Sequence, residues 1–448
     1  MRTLIHNATI VNEGASVRGS LVIENGRIAE VLTHGKPLSA PCDETIDATG
    51  CYLLPGVIDD HVHFREPGFT HKADMLGESR AAAAGGVTSV MDMPNTQPQT
   101  TTIEALQEKM DLMGRNCIVN HSCYYGATNE NYRDFTRLDS RRVCGIKLFM
   151  GSSTGNMLVD NMDSLVRIFS GTDLPIAAHC EDQAIIRKNA ERFKQIFAKR
   201  EDVPVNKHST IRSIEACYTS SALAIRLARE TNARLHLLHV STARELEFLS
   251  DRPLSDEKRI TAEVCVGHLL FYQRDYTTLG TRIKCNPSIK NRVQRDALRR
   301  AAATGLIDVI ATDHAPHLLG EKAGGALKAV SGMPMIQFSL VSMLQLVSEG
   351  LFSIEKVVEK MCHAPATLFH IHERGYIREG YRADLVLVRP DSPWQLTAET
   401  VLSKCGWSPL EGRTFDWKVE KTFANGHLIY DGHSVDENYR GEELRFER

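Results

Sequence analysis

The 448-residue chain predicts an α/β fold, a (β/α)8 TIM barrel with a small β-sandwich domain formed by both chain termini. Eight apolar strand-like runs alternate with helix-like stretches across residues 55–374. Segments 1–54 and 375–448 read instead as short strands joined by turns, and each carries an Asn-Gly pair, Asn25-Gly26 and Asn425-Gly426, of the kind that closes tight hairpins. The length suits one barrel of about 250 residues or more plus an accessory module.

In order, segment 1–54 offers strands at 3–11, 20–23 and 27–32 and a return near 44–46. The barrel strands are expected at 57–61, 87–93, 117–121, 144–149, 175–179, 234–240, 260–265 and 306–312. Helices are expected between them at 76–84, 102–113, 131–139, 162–169, 183–199, 209–230, 243–249 and 292–303, and a further one at 335–347. Strand character returns at 383–388, 418–425 and 427–430, and the two ends share a texture that suits one domain made from both. A doubly wound open sheet is the alternative for the same alternation.

Composition narrows the partners. With 42% hydrophobic and 24% charged residues the chain has the balance of a folded domain. A net charge of -3 without a long basic block gives no electrostatic reason for nucleic acid or an anionic membrane, which leaves a small molecule as the expected partner. No signal-like apolar run follows Met1 and no stretch reaches spanning length, so the expected location is cytoplasmic. The eleven cysteines are odd in number and lack a Cys-x-x-Cys pair, as expected of reduced thiols acting as small hydrophobes.

Four strand ends carry metal-compatible side chains. His61 and His63 lie two apart, so strand alternation directs both rings to one side. Apolar runs also end in His179, in His239 and in Asp313. In a parallel barrel these ends meet at one mouth, which makes a catalytic metal centre the economical reading. Lys147, in Gly-Ile-Lys-Leu-Phe, is costly to bury without a partner. Two readings stay open for it, a salt bridge to an acid in the mouth or a carbamate formed with carbon dioxide.

The segment Pro55-Gly-Val-Ile-Asp-Asp-His61-Val-His63-Phe-Arg65-Glu-Pro-Gly68, with Met93-Pro-Asn95-Thr, Asn286-Pro-Ser and Ala311-Thr-Asp313-His-Ala-Pro-His317, resembles the cyclic amidohydrolases, and the dihydroorotases among them. The resemblance spans almost the whole chain. It implies two divalent ions, with His61, His63 and Asp313 on one, His179 and His239 on the other, and carboxylated Lys147 bridging them. Zinc suits such ligands, and cobalt or manganese could take the same ones. The Lys147 strand is similar to that of the dihydropyrimidinases, while Gly151-Ser-Ser-Thr-Gly155 replaces an Asp-Asp-Gly segment of some bacterial dihydroorotases.

Arg65 separates the candidate substrates. It follows His63 by two residues, and a guanidinium can grip a carboxylate bidentately; a surface ion pair is the plainer reading. The resemblance assigns Asn95, Asn286 and His317 to the same carboxylate and the backbone near Gly332 to the ring's polar edge. It implies reversible cyclisation of N-carbamoyl-L-aspartate to (S)-dihydroorotate in pyrimidine (UMP) synthesis, with Asp313 moving the proton. The alternatives are an allantoinase or a dihydropyrimidinase/hydantoinase-like enzyme, and a noncatalytic barrel, which the presence of every ligand argues against. A homodimer is a further family expectation, and segment 314–331 is expected to wall the site as a flexible loop.

Overall fold

Alternating apolar residues in the two terminal segments bury one face of a shared sheet, and Ile5, Ile10, Leu21, Ile23, Leu385 and Leu387 form its core. In the computed structural model, which describes residues 1–151 and 157–448, this sheet has eight strands. Five come from the start of the chain, β1 (Arg2–Asn12), β2 (Ala15–Glu24), β3 (Arg27–Thr33), β4 (Glu44–Asp47) and β5 (Tyr52–Pro55). β1 carries an irregularity between Ile5 and Ala8, where Asn7 takes a φ of 64°. Its first half pairs with β4 and its second half with β5, so two strands share one edge of β1 across that irregularity.

The barrel follows at once. Its strands are β6 (Val57–Val62), β7 (Val87–Asp92), β8 (Asn120–Cys123), β9 (Tyr125–Gly126), β10 (Ile146–Phe149), β11 (Ile176–His179), β12 (Leu235–Leu237), β13 (Ile260–Cys265) and β14 (Val309–Ala311). β8 and β9 are one barrel position interrupted at Tyr124, so nine segments supply eight staves. All neighbouring pairs are parallel, and the ring closes where His63 N–H donates to His314 O at 2.7 Å beside the Val62–His314 bridge. The parallel core wrapped by helices is the fold class expected from the alternation.

Some elements differ from expectation. The third stave starts at Asn120 rather than Cys117, because Cys117 caps the helix Ile103–Asn116. The stretches 131–139 and 243–249 are 3-10 turns, Asn131–Arg137 and Glu245–Phe248, too short for an amphipathic stripe. The expected helix at 209–230 divides into His208–Ile211 and Ile214–Thr231, with Ser213 capping the second through Ala216 N–H.

Four more strands follow, β15 (Leu385–Arg389), β16 (Trp394–Gln395), β17 (Thr414–Phe415) and β18 (Lys418–Ala424), and then β19 (His427–Tyr430). β15, β18 and β19 complete the terminal sheet, β15 pairing with β5. The two Asn-Gly turns meet, since a Cβ on Gly426 would stand 2.8 Å from Gly26 Cα and both glycines have positive φ. The final residues leave the sheet and run along the barrel, with Leu444 N–H donating to His121 O at 2.8 Å. Among the described residues no helix is long and apolar enough to cross a membrane.

Candidate active site

Parallel staves deliver their C-terminal ends to one mouth, and there a cavity of about 290 Å³ collects every residue singled out from the sequence. His61, His63, Lys147, His179, His239 and Asp313 line it together with Arg65, Asn95, Asn286, His317 and Gly332. Only Gly151 of the Gly151-to-Gly155 segment falls among the described residues. Arg65, His239 and Asp313 have φ values of 68°, 39° and 48°, left-handed backbone that non-glycine residues adopt at a cost. Three sharp turns at stave ends thus aim side chains into the cavity.

One half of the cavity gathers metal-compatible donors. His61 Nε2 and His63 Nε2 lie 3.3 and 3.1 Å from the same Asp313 Oδ1. Two ligands each about 2.1 Å from a shared tetrahedral ion stand about 3.4 Å apart, so these three fit one divalent ion. His179 Nδ1 and His239 Nε2 converge to 2.9 Å, while His239 Nδ1 is buried without a hydrogen-bond partner among the described residues. The second pair therefore also presents ring nitrogens to a common point.

The rings are held from behind. His61 Nδ1 donates to Glu263 Oε1 at 2.6 Å, His63 Nδ1 meets Asn95 Oδ1 at 2.8 Å, and His179 Nε2 donates to Glu181 Oε2 at 2.9 Å. An acceptor on one nitrogen leaves the other with its lone pair toward the cavity. Burial pushes His63 down to about 4 and holds His179 and His239 below the ordinary imidazole range. Neutral rings are the form that binds metal. For His61 burial acts in the same direction, but the charges of Glu263 and Asp313 outweigh it. Asp313 would also rise on burial, yet His61 and His63 beside it keep it below its usual value and ionised.

Lys147 is buried on β10 with its ammonium 4.6 Å from the centre of the Phe149 ring. Burial lowers its pKa to about 8, opposed by the charges of Asp313 and Glu263. At the stave ends, Thr312 Oγ1 donates to Asp59 Oδ2 at 2.6 Å and ties β14 to β6, which sets Asp313 against His61.

The other half is built from loops. The half-buried Arg65 guanidinium donates from Nε to Pro316 O at 3.1 Å and lies 3.0 Å from His317 Nε2. Among the described residues it has no ion-pair partner, and desolvation lowers its pKa. His317 Nδ1 accepts from Lys72 at 3.1 Å, and burial with the nearby charges of Arg65, Lys72 and Lys322 drives its basicity far down. Asn286 Oδ1 is buried without a partner among the described residues. Gly332 has a φ of 145°, and a Cβ there would meet Ala315 O at 2.5 Å. Its N–H is engaged to Lys284 O at 2.9 Å, and Val330 and Ser331 line the cavity beside it.

Segment 314–331 is anchored rather than merely draped. Lys322 is buried and donates to the carbonyls of Lys284, Val330 and Gly332 at 2.9, 3.0 and 2.7 Å. Trp407, from the C-terminal segment, donates to His317 O at 2.7 Å. Sequence reading missed Glu263, Glu181, Lys322 and Trp407. A carboxylate inside the apolar run of β13 was the one available signal, for Glu263.

The amidohydrolase family model matches residues 52–429. A dihydroorotase of Halobacterium salinarum is 34% identical over 424 residues, covering 92% of this chain and 96% of that protein. An allantoinase of Bacillus velezensis is 30% identical over 435 residues, covering 95% and 93%. The solved L-hydantoinase (dihydropyrimidinase) of Arthrobacter aurescens superposes with a TM-score of 0.90 at 26% identity, covering 97% of each chain. With a matching barrel, a metal-compatible donor set and relatives of this kind, the chain belongs to the amidohydrolase family and is one of its metal-dependent cyclic amidohydrolases.

Proposed function

We propose that the protein interconverts N-carbamoyl-L-aspartate and (S)-dihydroorotate. Arg65 carries this reading: a half-buried guanidinium facing the cavity, held by the Pro316 carbonyl and without a carboxylate partner among the described residues, calls for an anionic group on the substrate. A ring carboxylate supplies it. Asn286 Oδ1 offers an acceptor to a ring N–H in the same cavity.

In this reading His61, His63 and Asp313 would hold one divalent ion, zinc by ligand type, His179 and His239 would hold another, and Lys147, if carboxylated, would serve both. Such ions, when bound, supply Lewis acidity and acidify water. Asp313 accepts the proton of the attacking water and passes it to the leaving ring nitrogen; in the biosynthetic direction it accepts the ureido proton. Asp313 starts ionised, the form that can accept a proton. Arg65 fixes the carboxylate, and His317, kept neutral, adds polarity without a competing charge. The chain divides at 1–54, 55–374 and 375–448 in this scheme, with the outer two forming the accessory domain.

Hydrolysis of an uncharged cyclic amide, as in allantoinases and hydantoinases, is the second reading. The L-hydantoinase superposition and the allantoinase relative favour it, and on similarity to solved structures it is the better supported of the two. Metal-loaded protein assayed with carbamoyl aspartate, dihydroorotate, allantoin, hydantoin and dihydrouracil distinguishes them. Turnover of the carbamoyl aspartate pair is expected; its absence beside rapid turnover of a neutral ring would replace the first reading with the second.

A further inference from the structure

Beneath the cavity, Glu263 on β13 joins two ligands that are distant in sequence. One oxygen, Oε1, accepts both His61 Nδ1–H at 2.6 Å and the backbone N–H of His239 at 3.0 Å. His61 is assigned above to one ion and His239 to the other, and His239 is also where the backbone turns left-handed. The second oxygen faces a closed layer below. His236 Nε2 stands 3.6 Å from Glu263 Oε2 and 3.3 Å from Asp60 Oδ2, and His236 Nδ1 is fixed by Thr261 Oγ1 at 2.9 Å. Glu263, His236 and Asp60 are wholly buried, so no water replaces a lost partner there.

We infer that Glu263 is the positioning residue that sets the spacing of the two metal sites, with His236 facing its second oxygen and Asp60 facing His236. Through Oε1 it orients the His61 ring so that Nε2 points at Asp313, and it pins the turn that brings His239 toward His179. Glu263 touches neither the cavity nor the substrate; it acts through the ligands. Removing such a support lowers metal affinity by roughly 10–100-fold in known metal sites.

The inference rests on the two-ion reading, and the test separates their failures. Wild-type protein, Glu263→Gln and Glu263→Leu are titrated with Zn2+ against a competing chelator, and Co2+-loaded samples are compared by visible absorption. Gln keeps an acceptor oxygen and Leu keeps none, so affinity is expected to fall about tenfold in Glu263→Gln and about a hundredfold in Glu263→Leu. The Co2+ spectrum should change with it, which a general loss of packing would not produce in a protein that still melts cooperatively. If Glu263→Leu does not fold, Glu263→Gln carries the test. Wild-type affinity and an unchanged spectrum in Glu263→Gln would overturn the positioning role while leaving the metal centre intact. Failure of the wild type to take up either ion would overturn the metal reading itself.

Discussion

The two halves of the cavity are built differently. Metal-compatible donors stand at the ends of staves, and His61, His63 and His179 each have the second ring nitrogen anchored, by buried Glu263, half-buried Asn95 and buried Glu181. The substrate half hangs on loops, where Arg65, His317 and Asn286 are held by backbone carbonyls, by one another or by no partner among the described residues. Staves fix positions through shared hydrogen-bond ladders, whereas loops can change without disturbing the core. Relatives of this chain carry the names dihydroorotase, allantoinase and hydantoinase.

Asp313→Asn attacks the rigid half most directly. It removes the proposed base, and kcat on the preferred substrate is expected to fall about 10²–10⁴-fold with KM little changed. Steady-state kinetics at matched metal content measure it, and a loss below tenfold would take proton transfer away from Asp313.

Arg65→Gln tests the other half and should leave the first untouched. Losing a charge-assisted contact of about 1.5–3 kcal/mol raises KM for carbamoyl aspartate roughly 10–100-fold, with metal content unchanged. An unaltered KM would remove the carboxylate grip and shift weight to a neutral ring.

Lys322→Met gives the smallest effect, because it reaches the substrate only through the loop. Three carbonyls lose the Lys322 ammonium, Lys284 O keeping the Gly332 N–H, and the expectation is a KM up to about tenfold higher and a loss of about 2 kcal/mol in denaturant unfolding. Equal KM and stability would show the loop anchored by its other contacts, such as Asp202 to the Gly325 and Lys328 N–H groups at 2.6 and 2.9 Å.

Much of this was legible along the chain. Strand-helix alternation carried the barrel, and the Asn-Gly pairs carried the terminal hairpins, because both depend on near-neighbour rules of backbone conformation. The histidines and Asp313 could be read because a parallel barrel sends stave ends to one mouth. Helix boundaries at 209–230 and the 3-10 turns at 131–137 and 245–248 were not legible, since capping and packing chose between similar local conformations.

By itself, then, the sequence determined the barrel, the pairing of its two ends and the histidines and Asp313 at the stave ends through periodicity and local geometry, while Asn95, Asn286, His317 and Gly332 were legible only through the family resemblance. Tertiary structure alone decided which atoms meet. Glu263 lies 202 residues from His61 and shares one oxygen between His61 and His239, and Trp407 reaches His317 from the far end of the chain. No local rule encodes such contacts, because a carboxylate in a buried run finds its partner only when the ring of staves closes around it.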